Sequence, residues 1–208
     1  MHTLYAAQRA GSFVVEALLH HTGEPYRVAE APPWEAGPHR DELARVNPLM
    51  QVPTLVLPDG TVMTESAAIV LHLADCHPQA GIVPPADAPE RAVFLRWLLY
   101  LVGSVYPTFT VADDPTRWVS GTDAQEELVR RTSAYRCGLW RQVEEAAKAT
   151  PWFLGERFSA IDLYLAVMVT WQPRRPWFAE HAPKLTAIAD RCTADPRFAP
   201  VVARNGMA

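Results

Sequence analysis

An acid and a hydroxyl stand side by side at Glu65-Ser66, opening a segment in which Ile69, Val70, Leu73 and Ala74 fall at helical spacing. The free N–H groups of a helix N-terminus and a hydroxyl can receive a carboxylate, and an acid beside them can meet an ammonium. The same pair can equally be an ordinary cap. Val52-Pro53 precedes a branched run, either as a plain strand entrance or as backbone turned towards a ligand. Ser12 stands before an apolar helical stripe, where a hydroxyl can cap the helix or attend an anion at its positive end. Tyr5, at the end of a short first strand, offers a phenol or simply packs.

The elements that must position these residues fall into two halves. Thr3 to Ala6 reads as a strand, Ser12 to Gly23 as a helix carrying Val14, Val15, Leu18 and Leu19 on one face, and Tyr26 to Ala29 as a second strand. Strand, helix, strand over this distance predicts a βαβ unit with parallel strands. A proline-rich loop from Pro32 to Pro38 leads to a short helix, Arg40 to Arg45. Thr54 to Leu57 and Thr61 to Met63 then read as a hairpin around Pro58-Asp59-Gly60, extending the same sheet. After a linker rich in proline, His77 to Pro89, strand signals disappear. Helices are expected over Glu90 to Val105, Thr122 to Ala149, Ser159 to Val169, Pro183 to Cys192 and Pro196 to Val202. Ser159 and Asp162 fit a capping box at the start of the most apolar of these. The expectation is an α/β domain over 1–76, a linker over 77–89 and an all-α domain over 90–208.

The composition excludes several alternatives. The 208 residues are 49% hydrophobic and 20% charged, ordinary for a globular chain, and the net charge of −4 argues against a nucleic-acid partner. No apolar run looks long enough to span a membrane and the N-terminus lacks the order of a secretion signal, so a cytoplasmic protein is expected. Cys76, Cys137 and Cys192 form no metal or redox spacing and are expected to be small buried fillers. No metal site is expected.

The stretch NPLMQVPTLVLPDG…TESAAIVLHLAD resembles the glutathione-binding half of cytosolic glutathione transferases, and GERFSAIDLYLA resembles the capped, buried helix of their second domain. The resemblance implies a thioredoxin-like N-terminal domain followed by an all-α C-terminal helical domain, a cytoplasmic homodimer, and glutathione as co-substrate. Glutathione would lie on Gln51, the backbone of Val52 and a cis Pro53, with its γ-glutamyl head on Glu65 and Ser66. His39 and Arg40 are placed for its glycine end. In that family the thiol, mostly protonated at neutral pH, is activated as a thiolate that attacks a small apolar electrophile. Ala10 and Gly11 stand here where many relatives carry Ser or Cys, and no cysteine is near, which disfavours the thiol–disulfide branch. Ser12 or Tyr5 is then the candidate donor to the sulfur, with Arg9 nearby. Phe13, Tyr106, Phe109 and Trp118 are the candidates for the electrophile's pocket. A glutathione-dependent isomerase, lyase or sulfur-inserting enzyme, or a non-catalytic interaction module on the same fold, remains as the alternative.

Overall fold

The computed structural model describes residues 1–207. Its sheet has four strands in the order β2-β1-β3-β4: β1 His2–Ala6, β2 Tyr26–Glu30, β3 Thr54–Val56 and β4 Val62–Met63. The expected parallel pair forms, with Leu4 opposite Val28, and β3 runs antiparallel to both β1 and β4. Helix α1, Ser12–Thr22, makes the crossover and stops at Gly23, whose φ of 72° closes the helix in the left-handed region. Helix α2, Arg40–Val46, follows β2, and α3, Ser66–Cys76, follows the hairpin, which turns through Gly60 at φ 90°.

Alternation along β1 sorts the two faces of the sheet. Leu4 and Ala6 join Val14, Val15, Leu18, Ile69, Val70 and Leu73 in the main core, beneath α1 and α3. Tyr5 points the other way, into a small cluster with Ala29, Ala31 and Leu43 under α2.

The helical part begins with α4, Arg91–Tyr100. The helix expected to end at Val105 instead runs on past Pro107. The chain passes through a wide π turn, Leu101–Val105, straight into α5, Tyr106–Asp113. A proline in the first turn of a helix loses only an N–H that would be unpaired there, so the wide turn lets the rod continue. By length and composition the rod Arg91–Asp113 passes as a membrane span, against the sequence expectation, but it buries Phe94, Trp97, Leu98, Leu101 and Val105 as a core helix does. Helix α6, Thr122–Ala146, stops short of Ala149, because Ala147 is extended and Ala149 takes φ 56°. Helix α7, Ala160–Met168, is buried along its whole length, and each large apolar side chain there stabilises the fold by roughly 1.5–3 kcal/mol. Asp162 accepts the N–H of Ser159 at 2.7 Å and that of Phe153 at 2.8 Å. Helices α8 (Arg175–His181), α9 (Pro183–Thr193) and α10 (Ala199–Arg204) complete the chain, α8 without a sequence expectation. Of the cysteines only Cys192 is buried; Cys76 is exposed and Cys137 half-buried, so the filler reading is corrected for those two.

The C-terminus is fastened back onto α1. Arg204 grips the buried Glu16 through Nε and Nη2 and reaches Glu30 at 2.9 Å, while Asn205 donates to Glu16 at 3.1 Å. These bonds fix α1, and with it the loop that leads into it.

Candidate functional site

The sheet register gathers three segments at one end. Thr54 lies opposite Tyr5, and Leu55 opposite Met63. In these antiparallel pairs the C-terminal ends of β1 and β4 flank the N-terminal end of β3. The loop entering α1, the Val52-Pro53 bend and the start of α3 therefore share one edge of the fold.

At that edge Val52-Pro53 is a cis peptide, as the resemblance implied. Neither the N–H nor the C=O of Val52 has a partner among the described residues. The bend is braced from behind by Asn47, whose Nδ2 donates to Gln51 O at 3.2 Å and Thr54 Oγ1 at 2.9 Å. Thr54 Oγ1 in turn donates to Gln51 O at 2.8 Å, leaving the Gln51 side chain exposed. The bracing role of Asn47 was not legible in the sequence and needs the fold.

Helix α3 begins with no side-chain cap, so its first N–H groups face outward. Glu65, exposed, precedes it at φ 62° and ψ 102°, a backbone state costing on the order of 1–3 kcal/mol for a non-glycine residue. Ser66 Oγ accepts a hydrogen bond from Tyr164 Oη, on α7, at 2.8 Å. Tyr164 was not legible as a site residue. It sits within a continuous apolar run, and only the packing of α7 shows where its phenol ends. Burial pushes its hydroxyl well above the ordinary phenol range, so it stays a donor.

At the α1 end the expected donors are engaged elsewhere. Ser12 is not the N-cap: Gly11 is, with helical φ of −61°, and Ser12 is the first helical residue. Its fully buried hydroxyl accepts from Ala7 N–H at 3.1 Å and donates to Ala7 O at 3.0 Å. Both functions of that hydroxyl are spent on closing the loop, so the donor reading of Ser12 is corrected. Tyr5 Oη lies 3.5 Å from Glu42 Oε2 on the α2 side of the sheet, with burial first and Glu42 second raising its phenol. The donor reading of Tyr5 is corrected because its side chain lies in the cluster under α2, on the sheet face away from α1. Arg9, at φ 56°, sends its side chain to Gly206 O. His39 lies 3.3 Å from Glu42, and Arg40 donates to Pro33 O at 3.4 Å.

Tyr106 and Phe109 both lie on α5. Both rings meet Trp171 edge-on, at 5.1 Å and 5.2 Å. Trp171 Nε1 donates to Arg9 O at 2.6 Å, so this indole ties the aromatic shelf to the loop before α1. Trp171 lay outside every pattern the sequence offered, next to a Gln-Pro pair that reads only as a turn. Arg136, on α6, lies over the ring of Phe109, with its guanidinium carbon 4.2 Å from the ring centre. The Tyr106 hydroxyl is shut off from solvent with no partner among the described residues, a state costing about 1–3 kcal/mol. Two pocket candidates are corrected. Phe13 is 0% exposed in the main core, and Trp118 is 55% exposed and outside the shelf.

Known proteins are similar to this chain in sequence and fold. The chain matches the glutathione S-transferase N-terminal domain over residues 12–76. It is 38% identical over 203 residues to the GST-like protein YncG of Escherichia coli K12, covering 97% of each chain. Glutathione S-transferase GstA of Escherichia coli O157:H7 is 29% identical over 167 residues, 80% of each chain. A glutathione transferase homologue from Sulfitobacter, solved with bound glutathione, superimposes with a TM-score of 0.85 at 27% identity, over 100% of this chain and 99% of that one. The chain belongs to the glutathione S-transferase family.

Proposed function

We propose that the protein binds glutathione at this edge, holds its thiol as a thiolate at the N-terminus of α1, and directs it at a small apolar electrophile on the Tyr106–Phe109–Trp171 shelf. In this reading residues 1–76 hold glutathione and 90–208 receive the co-substrate. The observation that carries it is the uncapped start of α3 at Glu65-Ser66, at the same edge of the sheet as the unpaired backbone of Val52. The γ-glutamyl carboxylate would meet the helix N–H groups and Ser66, and its ammonium would meet Glu65. The cysteinyl backbone would pair with Val52, which leaves the sulfur pointing to α1. Positive potential at a helix N-terminus favours the anion. The thiolate's lone pair then forms the S–C bond, and the leaving group departs with the electrons of the bond that breaks.

A cytoplasmic homodimer is part of this reading, and the exposed apolar side chains of Leu49, Val93 and Leu99 supply surface for such an interface.

Calorimetric titration with glutathione, followed by the ultraviolet absorbance of the bound thiolate, tests the proposal. Binding is expected, with Glu65→Gln weakening it about 10-fold through loss of the paired charge. Absence of binding at millimolar glutathione contradicts it. Turnover assays with transfer and isomerisation substrates would separate those two reactions, and binding without any turnover would favour the interaction module.

A further inference from the structure

We propose that Tyr106, from the helical part of the chain, is the residue whose hydroxyl donates a hydrogen bond to the glutathione sulfur. The inference rests on the glutathione-binding reading above and names the donor that the N-terminal part lacks.

The placement is set by Gly11. A Cβ built there would lie 2.0 Å from Tyr106 Oη and 3.1 Å from Cζ, so the phenol oxygen sits directly against the main chain at the start of α1. Any side chain at position 11 would expel it. This is the place where a helix dipole favours an anion, and α1 is 11 residues long. The hydroxyl has no partner among the described residues, although its oxygen is closed to solvent. A buried donor without an acceptor beside a helix N-terminus suits a ligand that brings the acceptor with it.

The wide turn before Tyr106 is what aims it. Tyr106 N–H bonds to Leu101 O, five residues back, instead of four, which rotates everything after it about the helix axis. Trp171 then holds the ring edge-on at 83° while its own N–H fixes Arg9 O in the loop below. One indole thus sets the separation between the phenol and the α1 entrance.

The other hydroxyls near this entrance are committed: Ser12 to Ala7, Tyr5 towards Glu42 and Tyr164 to Ser66. Desolvation first, and the neighbouring Tyr164 second, raise the Tyr106 phenol well above its ordinary range. It therefore keeps its proton and acts as donor, not as base. The thiol proton leaves for solvent, the electron pair stays on sulfur, and the tyrosine makes no covalent bond.

The test is the pH titration of the thiolate absorbance of bound glutathione, in the wild type and in Tyr106→Phe. The expected result is a thiol pKa about one unit higher in the variant, so about 10-fold less thiolate at a given pH below it. Measured at a pH below both bound-thiol pKa values, where the sulfur is protonated in both proteins, the glutathione Kd should change by less than about 2-fold, because the phenol meets the sulfur and not the charged head. The melting temperature of the free variant should hold or rise, since the oxygen removed has no partner there. A ring needed only for packing would leave the titration unmoved, and that outcome overturns the proposal. Gly11→Ala, whose Cβ would displace the hydroxyl, should produce the same titration shift if Tyr106→Phe does not fold. Failure of the wild type to bind glutathione would sink the functional reading and this proposal together. Binding with an unshifted Tyr106→Phe titration sinks this proposal alone.

Discussion

Tyr164 Oη donates to Ser66 Oγ at 2.8 Å, joining the buried helix of the second half to the first turn of α3. A serine oxygen that accepts from one side keeps its own hydrogen for the other. The bond therefore turns the Ser66 O–H outward, ready for a carboxylate. Tyr164→Phe should weaken glutathione binding about 5–10-fold by calorimetry, the value of one hydrogen bond of about 1 kcal/mol, without moving the thiol titration. An unchanged Kd would show that Ser66 needs no orienting partner.

Ser12 is a structural residue in this account. Ser12→Ala leaves the N–H of the buried Ala7 unpaired and its C=O with the Ala10 N–H alone, and should cost about 1–3 kcal/mol in denaturant unfolding. The thiol pKa of the glutathione complex should move far less than in Tyr106→Phe. Abolished turnover with undiminished stability would return Ser12 to the role of donor.

The fastening of the C-terminus to α1 should dominate stability. Glu16 is 2% exposed, and Arg204→Ala would leave its carboxylate buried with only Asn205. The expected loss is about 3 kcal/mol, at the low end for a broken buried pair because Arg204 is itself partly exposed. Arg204→Lys should restore little, since an ammonium cannot make the two-pronged contact. Equal stability of wild type and Arg204→Ala would contradict this.

Asp162 carries a pH dependence of unusual sign. Burial lifts its carboxyl from the ordinary 3.8 to about 6, against the lowering effect of the N–H groups it accepts. The folded state thus binds this proton more tightly than the unfolded one. Its contribution is fully present below the unfolded pKa and is lost as pH rises through about 6. Asp162→Asn should remove a stability loss on the order of 2–3 kcal/mol between pH 4 and 7. Parallel unfolding curves for the two proteins at both pH values would refute it.

The fold was legible where local pattern and global packing agree. The stripe of Val14, Val15, Leu18 and Leu19, closed by Gly23, specifies α1, and the hairpin turning at Gly60 specifies the edge of the sheet. The cis bend at Val52-Pro53 and the start of α3 at Ser66 were legible because each pattern lies in contiguous residues. The run past Val105 was not legible, because Pro107 stands in the first turn of α5 behind a π turn that no periodicity announces. Ser12 misled because a serine before an apolar run looks like a cap, and only the fold reveals that its hydroxyl turns back to Ala7. Asn47, Tyr164 and Trp171 act through partners distant in sequence or through loop backbone, and such contacts leave no spacing to read.

A crystal structure of the glutathione complex tests the central proposition most directly. The account predicts the tripeptide's γ-glutamyl carboxylate at Ser66 and the first turn of α3, its ammonium at Glu65, and its sulfur within hydrogen-bonding reach of Tyr106 Oη beside Gly11. A tripeptide bound away from Glu65 and Ser66, or with its sulfur turned from the α1 entrance, would contradict it.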